Sequence, residues 1–118
     1  MSNHILIVDT NVIVYSAVRK IDLTAAIRAM HVHYEPVLLD CILDEIKHIR
    51  IGETDRKIAL EIAGRFHLHG SNGFGDDCII KYAAEKKAAV LSNDLTLKRI
   101  LKAAGIRTYS LRQGKMIE

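Results

Sequence analysis

Short apolar runs alternate along the chain with stretches in which apolar residues recur at helical spacing. The apolar runs predict buried β-strands at 4–8, 36–39, 66–69, 88–91 and 106–111. Between them, spacings such as that of Ile42, Ile46 and Ile49 predict amphipathic helices. Parallel strands need crossover connections, which helices usually supply, so the alternation predicts an α/β fold. We expect a three-layer α/β/α sandwich around a central, mainly parallel sheet.

The sequence contains no segment that resembles a linker between domains. Its 118 residues include one proline and seven glycines, and a chain of that length can bury most of its surface in one core. The glycine-rich segment 70–75 predicts a flexible loop. We therefore expect one domain over residues 1–118.

Charge, hydropathy and cysteine content exclude several classes of protein. The net charge of +3 agrees with a polyanionic partner. Asp9 and Asn11 interrupt the apolar residues near the N-terminus, which predicts neither a signal peptide nor a membrane span. Cys41 and Cys78 lack CxxC spacing, which predicts buried, reduced thiols rather than a zinc site or a redox pair. We expect a cytoplasmic protein without a membrane partner.

Acidic residues follow the predicted strands at positions suited to chemistry. Asp9 comes directly after the first strand, and Asp94 comes shortly after the fourth. Asp76 and Asp77 open the helix that precedes the fourth strand, and Glu45 lies in the helix after the second. Ligands bind beyond the carboxyl ends of the strands in an open parallel sheet, so we expect these carboxylates to converge there.

Such a cluster indicates a divalent metal ion. Crowded carboxylates repel one another and raise one another's pKa, so a cation is needed to neutralise them. Oxygen ligands without neighbouring Cys or His favour Mg²⁺ or Mn²⁺, and these ions also bind phosphate oxygens. One or two such ions can activate water for attack on a phosphodiester. A phosphatase with Asp9 as its nucleophile is a weaker interpretation, because Asn11 occupies the place of its second acid.

Four segments resemble, in their order along the chain, the acidic motifs of the PIN-domain nucleases. Residues 7–12 (IVDTNV) are similar to the opening acid motif of that family, and residues 43–46 to its helical Glu motif. Residues 75–80 are similar to the third acid motif, and residues 90–94 to the fourth. The resemblance covers residues 4–111.

The resemblance implies an endoribonuclease of α/β/α fold that depends on Mg²⁺ or Mn²⁺ and acts on an RNA substrate. It implies that the catalytic, metal-binding carboxylates are Asp9, Glu45, Asp76 and Asp94. It also implies that the groups orienting carboxylates and bound water are Thr10, Asn11 and Ser92. Members of the family frequently form homodimers, so a homodimer is expected.

The sequence leaves three questions open. The third acid is Asp76 or Asp77: the interval to Asp94 favours Asp76, whereas the placement of Ile80 on the following helix suits Asp77. We favour Asp76 and keep Asp77 as a further candidate metal ligand. The family often carries another acid where this chain has Thr96, so a catalytically inactive RNA-binding or assembly protein is the alternative function. A toxin with an antitoxin partner and an RNA-processing enzyme with its own partner would share the same site.

Overall fold

Six strands and six helices lie within residues 4–118, the part of the chain that the computed structural model describes. The strands are β1 His4–Val8, β2 Tyr34–Leu39, β3 His67–His69, β4 Ala89–Leu91, β5 Thr108–Arg112 and β6 Lys115–Ile117. The helices are α1 Thr10–Arg19, α2 Leu23–Arg28, α3 Asp40–His48, α4 Glu53–Ala63, α5 Asp76–Lys86 and α6 Leu95–Ala103. None of these described helices combines the length and the apolar composition that a membrane crossing needs.

The strands form one sheet in the order β3-β2-β1-β4-β5-β6. Strands β1 to β5 run parallel to one another, so their carboxyl ends lie along one side of the sheet, the carboxyl edge. Strand β1 lies between β2 and β4, with Ile7 opposite Val37 on one side and Val90 on the other. This central position places Asp9, which follows β1, in the middle of the carboxyl edge.

Strand β6 is not among the strands that the sequence predicts. Gln113 and Gly114 have φ values of 51° and 78°, the combination that a type I′ hairpin turn requires. They reverse the chain, so that Arg112 of β5 pairs with Lys115 of β6 in antiparallel register. The predicted strand at 106–111 corresponds to β5, and the structure adds β6 after it, because the left-handed turn brings the chain back alongside β5.

The middle of the sheet is buried on both faces. Leu6, Ile7 and Val8 of β1 and Val90 and Leu91 of β4 have no exposed surface. Successive residues of a strand point to opposite faces, so burial of consecutive residues requires cover on both. Helices α1, α3 and α4 pack against one another, and α5 packs on β1 and β4. This arrangement confirms the predicted α/β/α sandwich around a mainly parallel sheet.

A disulfide bond joins Cys41 of α3 to Cys78 of α5, and their Cα atoms are 6.8 Å apart. The expectation that both cysteines are reduced thiols is therefore wrong. The two residues lie 37 positions apart in the sequence, and no local spacing shows that the first turns of α3 and α5 meet at the carboxyl edge. The bond links the two helices that carry Glu45 and Asp76.

Candidate active site

A cavity of about 270 Å³ opens at the carboxyl edge of the sheet. The carboxylates that line it are Asp9, Glu45, Asp76 and Asp94. Asp9 follows β1, Glu45 lies in α3, Asp76 begins α5 and Asp94 immediately precedes α6. These elements meet because strand ends and the helices that follow them share one side of a parallel sheet. The structure thus brings together acids that lie far apart in the sequence.

Asp9 is the most buried of the four acids, with 7% of its surface exposed. Its backbone N–H donates to the carbonyl oxygen of Leu91 at 2.9 Å, which joins the end of β1 to β4. Its carboxylate accepts hydrogen bonds from the Thr10 N–H at 2.7 Å, from Ser92 Oγ at 2.7 Å and from Asn11 Nδ2 at 3.1 Å. Three donors therefore hold this side chain in one orientation.

Ser92 and Asn11 also connect Asp9 to Asp94. The Asp94 N–H donates to Ser92 Oγ at 3.1 Å, so that one hydroxyl contacts the carboxylate of Asp9 and the backbone of Asp94. Asn11 Nδ2 donates to the same hydroxyl at 3.3 Å, and Asn11 Oδ1 accepts from the N–H of Asn93 at 3.0 Å. Asn11 and Ser92 thus lie where the sequence analysis expects groups that orient the carboxylates.

Asn93 is a residue of this network that the sequence analysis missed. Its side chain accepts from the N–H of Leu111 at 2.9 Å and donates to the carbonyl oxygen of Leu111 at 3.1 Å. It therefore holds the turn before α6 against β5. Its only signal in the sequence is a place between Ser92 and Asp94 in a predicted turn, where Asn is common for purely local reasons.

Asp94 caps the N-terminus of α6. Its Oδ1 accepts from the N–H groups of Thr96 at 2.9 Å and Leu97 at 3.2 Å. A cap of this kind stabilises the start of the helix and restricts the side chain. Thr96 is exposed and does not line the cavity, so its side chain stands apart from the four acids.

Glu45 and Asp76 are carried by helices, and both are exposed. Among residues 4–118, no set of hydrogen bonds comparable to that of Asp9 holds either side chain. Cys41 and Cys78 line the same cavity, so their disulfide forms part of the wall beside these two acids. Asp77 is exposed and does not line the cavity, so the start of α5 presents Asp76 there.

Burial and crowding change the acidity of the site. The pKa of Asp9 rises from its ordinary value of 3.8 to about 6, mainly because the side chain is buried, and the carboxylates of Glu45 and Asp76 add to the rise. The pKa of Asp76 is raised by burial first and then by Asp94 and Glu45. The four carboxylates therefore form one electrostatic cluster, which a bound cation would stabilise.

The donors of the cavity fit Mg²⁺ or Mn²⁺. Its acids supply hard oxygen ligands, and Thr10 Oγ1, a buried hydroxyl of a lining residue, has no hydrogen-bond partner in the described part of the chain. Within residues 4–118, no three acidic, His or Cys side chains are gathered closely enough to hold an ion by themselves. This spacing suits an ion that binds one or two carboxylates directly and keeps several waters.

Comparisons with known proteins show what the chain is similar to. A family model described as a PIN like domain matches residues 6–114, which include every residue that lines the cavity. The fold is similar to that of the PIN domain endonuclease Utp24, with a TM-score of 0.80 and 31% sequence identity. That similarity covers 98% of this chain and 91% of the Utp24 chain. No curated protein sequence matches.

Proposed function

The chain belongs to the PIN-like domain family, and on this basis we propose that it is an endoribonuclease that hydrolyses RNA phosphodiester bonds with Mg²⁺ or Mn²⁺. The main support is the set of four carboxylates, from four separate parts of the chain, around one cavity. The similarity to a PIN domain endonuclease over nearly the whole chain supports the same reaction class.

We assign Asp9 and Asp94 as the principal metal ligands, because the network around Ser92 and Asn11 joins the Asp9 carboxylate to the backbone of Asp94, whose own carboxylate is held by its cap of α6. A bound ion supplies the activation of a water molecule and the neutralisation of charge on the phosphate. The Thr10 hydroxyl, which lacks a partner within the described residues, would be free to hydrogen-bond a water in the cavity.

Glu45 and Asp76 complete the ligand set from the side of the helices. Their carboxylates add negative charge that favours a cation, and an ionised carboxylate there accepts the proton that the attacking water releases. We assign the third acid to Asp76 rather than Asp77, because Asp76 lines the cavity and its pKa is raised by Asp94 and Glu45.

A basic surface next to the acids supports a nucleic-acid substrate. Lys98 lies one turn after Asp94 in α6, and its backbone N–H donates to the Asp94 carbonyl oxygen at 3.0 Å. The pKa of Lys98, whose Nζ donates to Ser110 Oγ, is lowered by burial first and then by the nearby charges of Lys102 and Arg112. These cations can bind the phosphates that flank the one being cut.

A non-catalytic RNA-binding or assembly protein is the second candidate function. Its support is the position of Thr96 in place of a further acid, together with the wide spacing of the acids within residues 4–118. For either candidate function, we also propose a homodimer and a protein partner. The partner would be an antitoxin if the protein is a toxin, and a processing factor if it is a housekeeping enzyme. Gel filtration of the purified protein tests the homodimer directly.

RNA cleavage with Mg²⁺, Mn²⁺ or EDTA tests the proposed reaction. We expect cleavage only with metal, and we expect Asp9→Asn to abolish it. Asp44→Asn is the matched control, because Asp44 lies in α3 beside Glu45 and is exposed outside the cavity. Equal cleavage by wild type and Asp9→Asn would show that the activity comes from a contaminant. Binding of RNA without cleavage under any metal condition would support the second candidate.

A further inference from the structure

Phe74 is the most exposed large hydrophobic residue among residues 4–118, with 91% of its surface accessible. Burying a Phe side chain typically stabilises a fold by roughly 1.5–3 kcal/mol, and this one contributes nothing of that kind. It lies in the glycine-rich loop 70–75, directly before Gly75, which lines the acidic cavity, and two residues before Asp76. An aromatic ring without a packing role therefore stands beside the candidate active site.

The backbone around Phe74 has a defined conformation, although the ring itself is exposed. Gly73 and Gly75 have φ values of 101° and 57°, which favour glycine, so the two turns on either side of Phe74 are built into the sequence. The Phe74 carbonyl oxygen accepts from the Asp77 N–H at 3.1 Å, in the first turn of α5. A Cβ at Gly73 would lie 3.3 Å from the Asp77 Cβ, so the loop packs closely on that turn. The helix that carries Asp76 thus also positions Phe74.

We propose that Phe74 stacks on a nucleobase of single-stranded RNA adjacent to the phosphate that the acidic cavity binds. The inference rests on the proposed function and adds a substrate preference to it. Every base has a flat π-face, so a stacking residue of this kind tolerates many sequences. A base inside a duplex is already stacked on its neighbours, so the ring selects unpaired substrate.

The charges around the cavity agree with this placement. Lys98 and Lys102 belong to α6, the helix that follows Asp94, and Phe74 lies two residues before Asp76, which begins α5. In the proposed arrangement, a single strand contacts the cations through its phosphates, passes the acidic cavity, and stacks its next base on the ring. The sugar-phosphate chain and one base are thereby recognised by different sides of the site.

Fluorescence of an RNA oligonucleotide that contains 2-aminopurine tests the stacking without any need for cleavage. The probe base is moved through every position of the oligonucleotide, and binding is measured in EDTA so that the RNA stays intact. We expect wild type to quench the probe at one position, and Phe74→Ala to lose the quenching and to bind about 5- to 150-fold more weakly. Phe74→Tyr should restore both. Leu68→Ala, which removes another exposed apolar side chain on β3, is the control.

An abasic site at the quenched position gives the decisive comparison. Wild type and Phe74→Ala should bind the abasic RNA equally, because the partner of the ring is gone. The proposal is overturned if Phe74→Ala binds intact RNA as tightly as wild type, or if its defect is the same on abasic RNA. A change in oligomeric state with unchanged RNA binding would instead assign Phe74 to a protein contact. Absence of RNA binding by wild type would refute the proposed function itself, whereas RNA binding without any role of Phe74 refutes only the stacking.

Discussion

The four acids of the cavity fall into two pairs that are held in different ways. Asp9 and Asp94, the strand half, follow β1 and β4 and share the hydroxyl of Ser92. Glu45 and Asp76, the helix half, project from α3 and α5 and are exposed. The strand half is kept in place by hydrogen bonds, whereas the helix half is kept in place by the packing of α3 and α5 on other elements and by the disulfide between the two helices.

The difference suggests a division of work within one site. A hydrogen-bonded carboxylate keeps its orientation before the ion arrives, which reduces the entropy that binding has to overcome. A helix-borne, exposed carboxylate can adjust its side chain to an ion, to a water or to a substrate. The strand half should therefore determine whether metal binds, and the helix half should modulate what the bound metal does.

The sharpest test compares one acid from each half. Asp94→Asn should reduce metal-dependent cleavage by at least about 100-fold, since even groups that only orient a metal ligand are worth 10–100-fold. Asn caps a helix as well as Asp does, so α6 should remain intact and the loss should report the charge. Glu45→Gln should cost about 10-fold. A larger loss for Glu45→Gln, measured as kcat/KM with Mn²⁺, would reverse the proposed division.

The hydrogen-bond network of the strand half can be broken without touching an acid. Ser92→Ala removes the hydroxyl that Asp9 and the Asp94 N–H share, and we expect metal affinity to fall about 10- to 100-fold. Ser71→Ala, in the exposed loop before α5, is the control and should leave affinity unchanged. The measurement is Mn²⁺ titration by calorimetry. Unaltered affinity in Ser92→Ala would mean that the network is only structural.

The helix half can be tested by removing its covalent link. The disulfide closes a loop of 37 residues, so Cys41→Ala with Cys78→Ala should lower the free energy of unfolding by about 2–4 kcal/mol. Cleavage by the folded variant should fall less than in Ser92→Ala, because Asp9 and Asp94 keep their contacts. Urea unfolding measures the first effect, with dithiol-treated wild type as the comparison. A variant as stable as oxidised wild type would contradict the expected role of the bond.

The raised pKa of Asp9 predicts how the stability of the metal-free protein depends on pH. The pKa of Asp9 is about 6 in the folded chain against 3.8 ordinarily, so the folded state binds the proton more tightly than the unfolded state. The resulting stabilisation is fully present below about pH 4 and is lost as the pH rises through 6, a difference of about 3 kcal/mol.

Asp9→Asn cannot ionise and should lack this dependence. In EDTA, the free energy of unfolding of wild type should therefore fall between pH 4 and pH 7 by more than that of Asp9→Asn. The variant should gain stability relative to wild type over this range. Denaturation at several pH values measures the shift. A constant difference across this range would show that Asp9 titrates normally in the folded protein.

The smallest effect on cleavage should come from substitution of Asp77, which follows Asp76 in α5. Asp77 is exposed outside the cavity, so Asp77→Asn should change cleavage by no more than about twofold, as is usual for surface substitutions. Asp76→Asn should cost at least about 10-fold under the same conditions. The opposite order would identify Asp77 as the third acid and would require a different orientation of the first turn of α5.

The sequence placed all four acids at the carboxyl edge, and it placed the strand half most directly. Asp9 and Asp94 follow apolar runs that form buried parallel strands, and the ends of such strands lie on one side of any parallel sheet. The choice between Asp76 and Asp77 depends on the backbone at Gly75, whose left-handed φ no apolar periodicity encodes.

Other features escaped the sequence because they depend on contacts between distant segments. The bond between Cys41 and Cys78 and the attachment of Asn93 to Leu111 arise only when separate elements meet. Strand β6 depends on the turn at Gln113 and Gly114, where a non-glycine residue adopts positive φ. Patterns of hydrophobic residues predict elements well and predict such individual junctions poorly.

The contact between Asp9 and Ser92 joins residues 83 positions apart in the sequence, so it forms only late in the synthesis of the chain. A chain emerging from the ribosome carries Asp9 early, but it lacks β4, Ser92 and Asp94 until most of its length has been made. If the protein cuts RNA as proposed, the partly translated chain has no assembled acid pair with which to do so. The messenger from which it is being read is therefore exposed to its activity only after translation is nearly complete.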